Sequence, residues 1–236
     1  MLPSLTTTTT PTGYAELPGL MTRMTGDEKH EPSATSTLDA LWVLYERVLR
    51  VTPATAGDPD RDRFVLSKGH GPVAYYAVLA AKGFLDPEEL STFGQSGSRL
   101  GYHPDGRLVP GVEIGSGSLG HGLGIALGMS LGLRARDSGA RVFCLVGDAE
   151  LEEGSNWEAI QLAGRLGVGG FVTVVIDNRS ATRGWPGGIA SRFEAEGWTS
   201  ATVDGRSHVD LEAAYRSATA NRPHVVVAVV EVKDGR

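Results

Sequence analysis

The sequence predicts an α/β fold: a parallel sheet with helices on both faces, in three layers. Two observations carry this. Short apolar runs rich in β-branched residues (Phe64–Leu66, Val142–Val146, Val172–Ile176, Thr199–Val203 and His224–Val232) alternate with segments of helical periodicity. The runs at Val142 and Val172 are continuously apolar instead of alternating, as strands buried on both faces of a parallel sheet are.

The chain has 236 residues, enough for one sizeable domain, expected over residues 21–236. Residues 1–20 are Thr- and Pro-rich and read as a disordered lead-in. Leu38–Arg50 is an amphipathic helix with Ser36 or Thr37 as its cap. After the first strand, Ser67-Lys68-Gly69-His70-Gly71 leads into a helix over Pro72–Lys82, stopped by Gly83. Asp86-Pro87 starts another helix, with Asp86 as cap. Residues 94–118 are rich in Gly, Ser and Pro and make a long loop, a kind usually found at functional sites or left disordered. Leu119–Arg136 is an apolar helix whose glycines recur at Gly120, Gly124, Gly128 and Gly132. Glycine inside a helix costs up to about 1 kcal/mol against alanine. The ridge therefore predicts close packing against a neighbour, within the chain or across a subunit interface. Beyond Asn178 a loop leads to a helix at Arg192–Gly197, and a further helix spans Leu211–Ala220.

Composition excludes several partners. Formal net charge is −6 with no basic block, which argues against nucleic acid and against an anionic membrane surface. No 18-residue apolar span exists, and the amino terminus lacks a signal pattern, so a cytoplasmic protein is expected. The one cysteine, Cys144, lies inside a strand run and reads as an inert buried thiol.

The chemistry gathers between Val142 and Asn178. Strand Val142–Val146 ends in Gly147-Asp148. A helix follows with Trp157, Ile160, Leu162, Ala163 and Leu166 as one apolar face, and strand Val172–Ile176 ends in Asp177-Asn178. A right-handed βαβ unit makes these strands parallel and sets Asp148 and Asn178 just beyond their carboxyl ends, the edge where open α/β sheets bind ligands. A carboxylate and an amide oxygen there are hard ligands suited to Mg²⁺ or Ca²⁺, with phosphates completing the shell. The same residues also read as plain strand-ending turns. Three histidines fall in Gly- or Pro-rich turns: His70 in SKGHG, His103 in GYHP and His121 in SLGHG; His30 precedes the first helix. His70, between a strand and a helix start, is placed to meet a phosphate.

In this order, RDRFVLSKGHG, GYHP, GSGSLGHGLGIALGMSLGLR, GDAELEEGSNWEA and VVIDN resemble the amino-terminal, diphosphate-binding domain of transketolases over about residues 27–233, closest to the split form. The resemblance implies the thiamine diphosphate-binding fold and cofactor, with Mg²⁺ (or Ca²⁺ or Mn²⁺) held by Asp148, Asn178 and the backbone carbonyl of Ser180. It implies cofactor contacts from His70, Gly117, Leu119, Gly147, Asp148, Ala149 and Glu150, and from Asn178. It implies catalytic roles for His30 and His103 near the substrate, for His70 at the diphosphate, and for Glu153 at a subunit interface. The implied reaction moves a two-carbon ketol unit from a ketose or ketose phosphate to an aldehyde. It requires a carboxy-terminal, pyrimidine-binding partner subunit in a heterotetramer.

The sequence departs from the family pattern at Ala149 (second glycine of Gly-Asp-Gly), Arg179 (often glycine), KHEPS for SGHPG, and GHG for GQG at residues 120–122. It also ends at Arg236, short of a further family histidine. Two other readings follow from these departures: transfer to a non-sugar or carrier-bound acceptor, and a non-catalytic partner subunit.

Overall fold

Five strands, β1 (Arg63–Leu66), β2 (Val142–Gly147), β3 (Phe171–Asp177), β4 (Thr199–Asp204) and β5 (His224–Val229), form one parallel sheet in the order β1-β2-β3-β5-β4. The computed structural model describes residues 13–25, 31–69 and 71–232, with the backbone alone for 31–34. The helices are α1 (Leu17–Met21), α2 (Glu31–Val43), α3 (Val73–Ala81), α4 (His121–Ala135), α5 (Gly154–Leu166), α6 (Ile189–Ala195) and α7 (His208–Arg216).

Strand residues alternate between two cores, as the pleat dictates. Phe64, Leu66, Phe143, Leu145, Val172, Val174, Val226 and Ala228 pack under α1, α2, α3 and α7. Val65, Val142, Cys144, Val146, Phe171, Val175 and Val225 pack under α4, α5 and α6. This is the expected three-layer sheet. β2 and β3 are neighbours with Gly147 opposite Ile176, so Asp148 and Asn178 leave the same edge.

Several elements differ from the sequence expectation. The lead-in is not disordered through residue 20. Tyr14–Glu16 forms a 3₁₀ turn and α1 follows, burying Leu17 and Leu20 against α3; the Thr run in the averaged composition had masked this local apolar spacing. Residues 1–12 lie outside the described residues. α2 starts at Glu31, so Ser36 and Thr37 lie inside it and do not cap it; Pro32 in the first turn costs no helical bond. Its continuation, Leu44–Val48, is a π turn. The segment after Asp86 is a 3₁₀ helix, Pro87–Thr92, with Asp86 accepting from Glu88 N at 3.0 Å.

On α5 the buried side is Asn156, Ala159, Ile160 and Ala163. Leu162 and Leu166 stand 47% and 46% exposed, because the sheet covers a narrower stripe than the apolar positions span. On α4, Leu123, Ala126, Leu127 and Leu133 face the core. A Cβ built on Gly124, Gly128 or Gly132 would meet nothing within 4 Å. The glycine ridge is therefore exposed, and no described part of this chain packs on it.

At the amino edge of the sheet, Asp62 is 1% exposed and binds both Arg50 and Arg141: Arg50 Nη2 at 2.9 Å, Arg141 Nη2 at 2.6 Å, and the backbone N of each at 3.0 and 2.8 Å. Burial works against the charge, but these donors prevail and hold the Asp62 carboxyl at about 2. Residues 94–118 are irregular as expected. Tyr75 OH donates to Gly111 O at 3.2 Å, Tyr76 OH donates to Gly101 O at 3.0 Å, and Glu113 pairs with Arg61 and with Arg63, so the loop is tied to α3 and to the start of β1.

Candidate diphosphate and metal site

The carboxyl edge collects the sequence motifs. Asp148 N donates to Ile176 O at 3.0 Å, and Ser67 N to Leu145 O at 2.9 Å, so the chain leaves β1, β2 and β3 at one level. Asp148 and Asn178 are 1% and 4% exposed. Each Asp148 oxygen accepts one bond, from Ser180 Oγ at 2.5 Å and from Ala181 N at 3.0 Å. Each keeps a lone pair for another partner. Asp177 is the next carboxylate; burial, with the neighbouring charge of Asp148, lifts its pKa although Arg179 N donates to it.

Ala149 opens a 3₁₀ turn, Ala149–Glu152, for which Asp148 supplies a helical N-cap conformation. Among the described residues, the Ala149 N–H has no acceptor. It is absent from the positive-φ residues, so its methyl group carries no backbone strain. Arg179 does have positive φ, +54°. This is the left-handed region that favours glycine, which accounts for glycine at this point in the family pattern.

Glu150 points inward and is 2% exposed. Its carboxylate accepts from Ser67 Oγ at 2.5 Å, Gly120 N at 3.0 Å and Gly147 N at 3.3 Å. Ser67 Oγ in turn accepts from Gly122 N at 3.1 Å. Gly120 has no side chain to cap α4; Ser67 and Glu150 satisfy its first amides instead. One buried carboxylate thus joins SKGHG, SLGHG and GDAE. Burial raises its pKa, against the Ser67 and backbone donors and the charge of Lys68. Lys68, 7% exposed, donates to Ser36 Oγ at 3.2 Å, and its chain lies 3.3 Å from where a Cβ on Gly147 would stand.

The glycines permit this convergence. A Cβ on Gly117 would stand 2.6 Å from the His103 ring, and one on Gly69 would stand 2.2 Å from Ser116 Oγ. A Cβ on Gly122 would meet Ser67 at 2.4 Å. Among the described residues, the buried Ser116 Oγ has no hydrogen-bond partner. Glu153 adjoins Gly120, and Leu119 is half-buried in the same loop.

The structure therefore brings together Gly117, Leu119, Gly147, Asp148, Ala149, Glu150, Glu153, Asn178 and Ser180, with His103 packed on Gly117. His30 and His70 lie outside the described residues. His121 is exposed at the first position of α4. Sequence reasoning missed Ser67 and Glu152. Glu152 accepts from Thr182 Oγ1 and Arg183 N and so holds the loop after Asn178. The acidic spacing Asp148, Glu150, Glu152 was the available signal.

These residues fit a metal–diphosphate pair. Among the described residues, no three acidic, histidine or cysteine side chains gather into a metal cage. One buried carboxylate, one amide and a backbone carbonyl instead suit a hard cation that takes its remaining ligands from phosphate oxygens. The Ala149 N–H, without an acceptor among the described residues, suits the anion.

Residues 25–233 match the family "Transketolase, thiamine diphosphate binding domain". The chain is 50% identical over 224 residues to "Ferredoxin fas2" of Rhodococcoides fascians, covering 94% of this chain and 74% of that protein. It is 33% identical over 195 residues to "6-deoxy-6-sulfo-D-fructose transketolase subunit SqwG" of Clostridium sp. (strain MSTE9), covering 80% and 71%. Its fold superposes on the Pichia stipitis transketolase complex with sedoheptulose-7-phosphate at a TM-score of 0.72 and 26% identity, over 92% of this chain but only 36% of that one. The chain belongs to the transketolase family, and what it carries of that family is the thiamine diphosphate-binding domain.

Proposed function

We propose that this chain is the amino-terminal subunit of a two-component, cytoplasmic transketolase that uses thiamine diphosphate and Mg²⁺. It moves a two-carbon ketol unit from a ketose or ketose phosphate to an aldehyde, and it acts only with a pyrimidine-binding subunit, in a heterotetramer. The observation that carries this is the buried Asp148 and Asn178 pair beyond two adjacent parallel strands, beside an Ala149 amide with no acceptor among the described residues. The relative named as one subunit of a transketolase supports a separate partner, and the bare glycine ridge of α4 is a surface such an assembly can cover.

Asp148, Asn178 and the Ser180 carbonyl would hold the metal, and Ala149 N–H and His70 the diphosphate. When bound, the cofactor supplies the nucleophilic carbon and the electron sink for carbon–carbon cleavage. The chain's own residues orient it. Glu150 and Ser67 fix the loops around it. His103 on Gly117, and His30, would hold and pass protons at the substrate hydroxyls.

The departure of KHEPS from the family's SGHPG, at the turn expected to contact substrate, favours a second reading, delivery of the two-carbon unit to a non-sugar or carrier-bound acceptor. The ferredoxin name of the relative at 50% identity does not extend to this chain. An iron–sulfur cluster needs several thiolate ligands, and this chain has one cysteine, buried in β2.

Calorimetric titration with thiamine diphosphate and Mg²⁺, with and without the partner, tests the proposal. Metal-dependent binding is expected, and Asp148→Ala abolishes it. Unchanged affinity in that variant refutes the metal site, and full ketol transfer by this chain alone refutes the requirement for a partner.

A further inference from the structure

The segment Ser180–Arg183 returns from the end of β3 across the end of β2, and two carboxylates of one turn hold it. Asp148 takes Ser180 Oγ and Ala181 N. Glu152 takes Thr182 Oγ1 at 2.8 Å on one oxygen and 2.7 Å on the other, and Arg183 N at 2.9 Å. These tethers differ in kind. Asp148 is itself a candidate metal ligand, so its grip on the segment changes with whatever it binds. Glu152 lies outside the ligand set, exposed at the surface, and its bonds to Thr182 and Arg183 do not involve the site.

Beyond Arg183 the segment has a stiff second anchor. The Trp185 ring lies 5.6 Å from that of Trp157, and the Arg192 guanidinium stacks on both, at 5.2 Å and 4.6 Å. The Trp185 indole nitrogen is buried, with no partner among the described residues. Glu152 and the Trp185 stack therefore hold the chain on both sides of Gly184.

We propose that Glu152 is a positioning residue whose carboxylate fixes residues 180–183, and with them the Ser180 carbonyl, and so sets how long metal and cofactor stay bound. This rests on the metal site proposed above. Ordering the segment before binding removes an entropic cost from the bound state, and pre-organisation of this kind is read mainly in dissociation.

The test uses the assembled enzyme, loaded with thiamine diphosphate and Mg²⁺ and then mixed with excess EDTA. Release is followed by tryptophan fluorescence, to which Trp185 contributes, and by the appearance of free cofactor. Glu152→Ala is expected to release about tenfold faster, the size of effect that losing hydrogen bonds to a charged acceptor gives. Glu152→Gln, whose amide oxygen still accepts, falls between. Thr182→Val moves in the same direction, and the Glu152→Ala, Thr182→Val double variant is no faster than Glu152→Ala alone, because both remove one interaction. Wild-type release from Glu152→Ala overturns the proposal, as does full additivity of the two substitutions. Asp148→Ala in the same assay separates the two claims. If it loses binding while Glu152→Ala behaves as wild type, only the role of Glu152 falls. If Asp148→Ala binds normally, the metal site falls and the role of Glu152 with it.

Discussion

Glu150→Ala should destabilise the domain more than any other change at the carboxyl edge. The carboxylate is 2% exposed and receives Ser67 Oγ, Gly120 N and Gly147 N. Ser67 can turn its hydroxyl elsewhere, but the two amides cannot move without moving α4 or β2. A buried donor left unpaired costs about 1–3 kcal/mol. Two such amides give roughly 2–6 kcal/mol, and removing a desolvated charge returns part of that. A net loss of about 3 kcal/mol should lower the melting temperature by about 9 °C at this chain length. Glu150→Gln should fall between, since its oxygen can still accept while its amide N–H₂ faces donors. Thermal unfolding followed by circular dichroism gives the value, and cofactor affinity should fall along with stability because Gly120 borders the site. A melting temperature within about 2 °C of wild type would refute the view that this side chain joins the three motifs.

Two further outcomes follow from the edges of the sheet. Asp62 has a folded pKa of about 2, below its unfolded value; its contribution is therefore complete above about pH 4 and lost as pH falls towards 2. Asp62→Asn should cost about 3 kcal/mol at pH 7 by breaking a buried ion pair and flatten the acid limb of a stability–pH curve; an unchanged acid limb would count against it. At Arg179, with φ of +54°, glycine should unfold no lower than wild type, while Arg179→Val should lose about 1–2 kcal/mol; equal melting of the two variants would contradict the assigned backbone.

Much of the fold was legible because β2 and β3 are apolar on both faces and end in residues that cannot continue a strand. Asp148 and Asn178 could be placed from that alone, since parallel neighbours must end on the same side. Other features resisted for definite reasons. The helical period of α5 gave its apolar positions correctly, but the period does not say how wide a stripe the sheet covers, so Leu162 and Leu166 read as buried and are exposed. The glycines of α4 announced a close approach, yet Gly124, Gly128 and Gly132 meet nothing in the described chain. Only Gly120 and Gly122 are used within it, against Ser155, Glu153 and Ser67. The bond from Ser67 to Glu150 joins residues 83 apart, and no local pattern predicts such a pairing.

The turn after β2 shows why spacing alone did not separate its acids. In an α-helix, residues i and i+4 share a face, which would set Asp148 and Glu152 side by side with Glu150 opposite. The turn Ala149–Glu152 is 3₁₀, and at three residues per turn alternate positions point about 120° apart. Asp148 can therefore meet Ser180 and Ala181, Glu150 can reach inward to Ser67 and Gly120, and Glu152 can take Thr182 and Arg183, without competing for one direction. Three carboxylates within five residues would repel if they shared a face. Spread this way, each is matched by its own donors. The site and its supports are thus made by one short turn, and the substitution of alanine for glycine at residue 149 is tolerated because that turn needs no positive φ there.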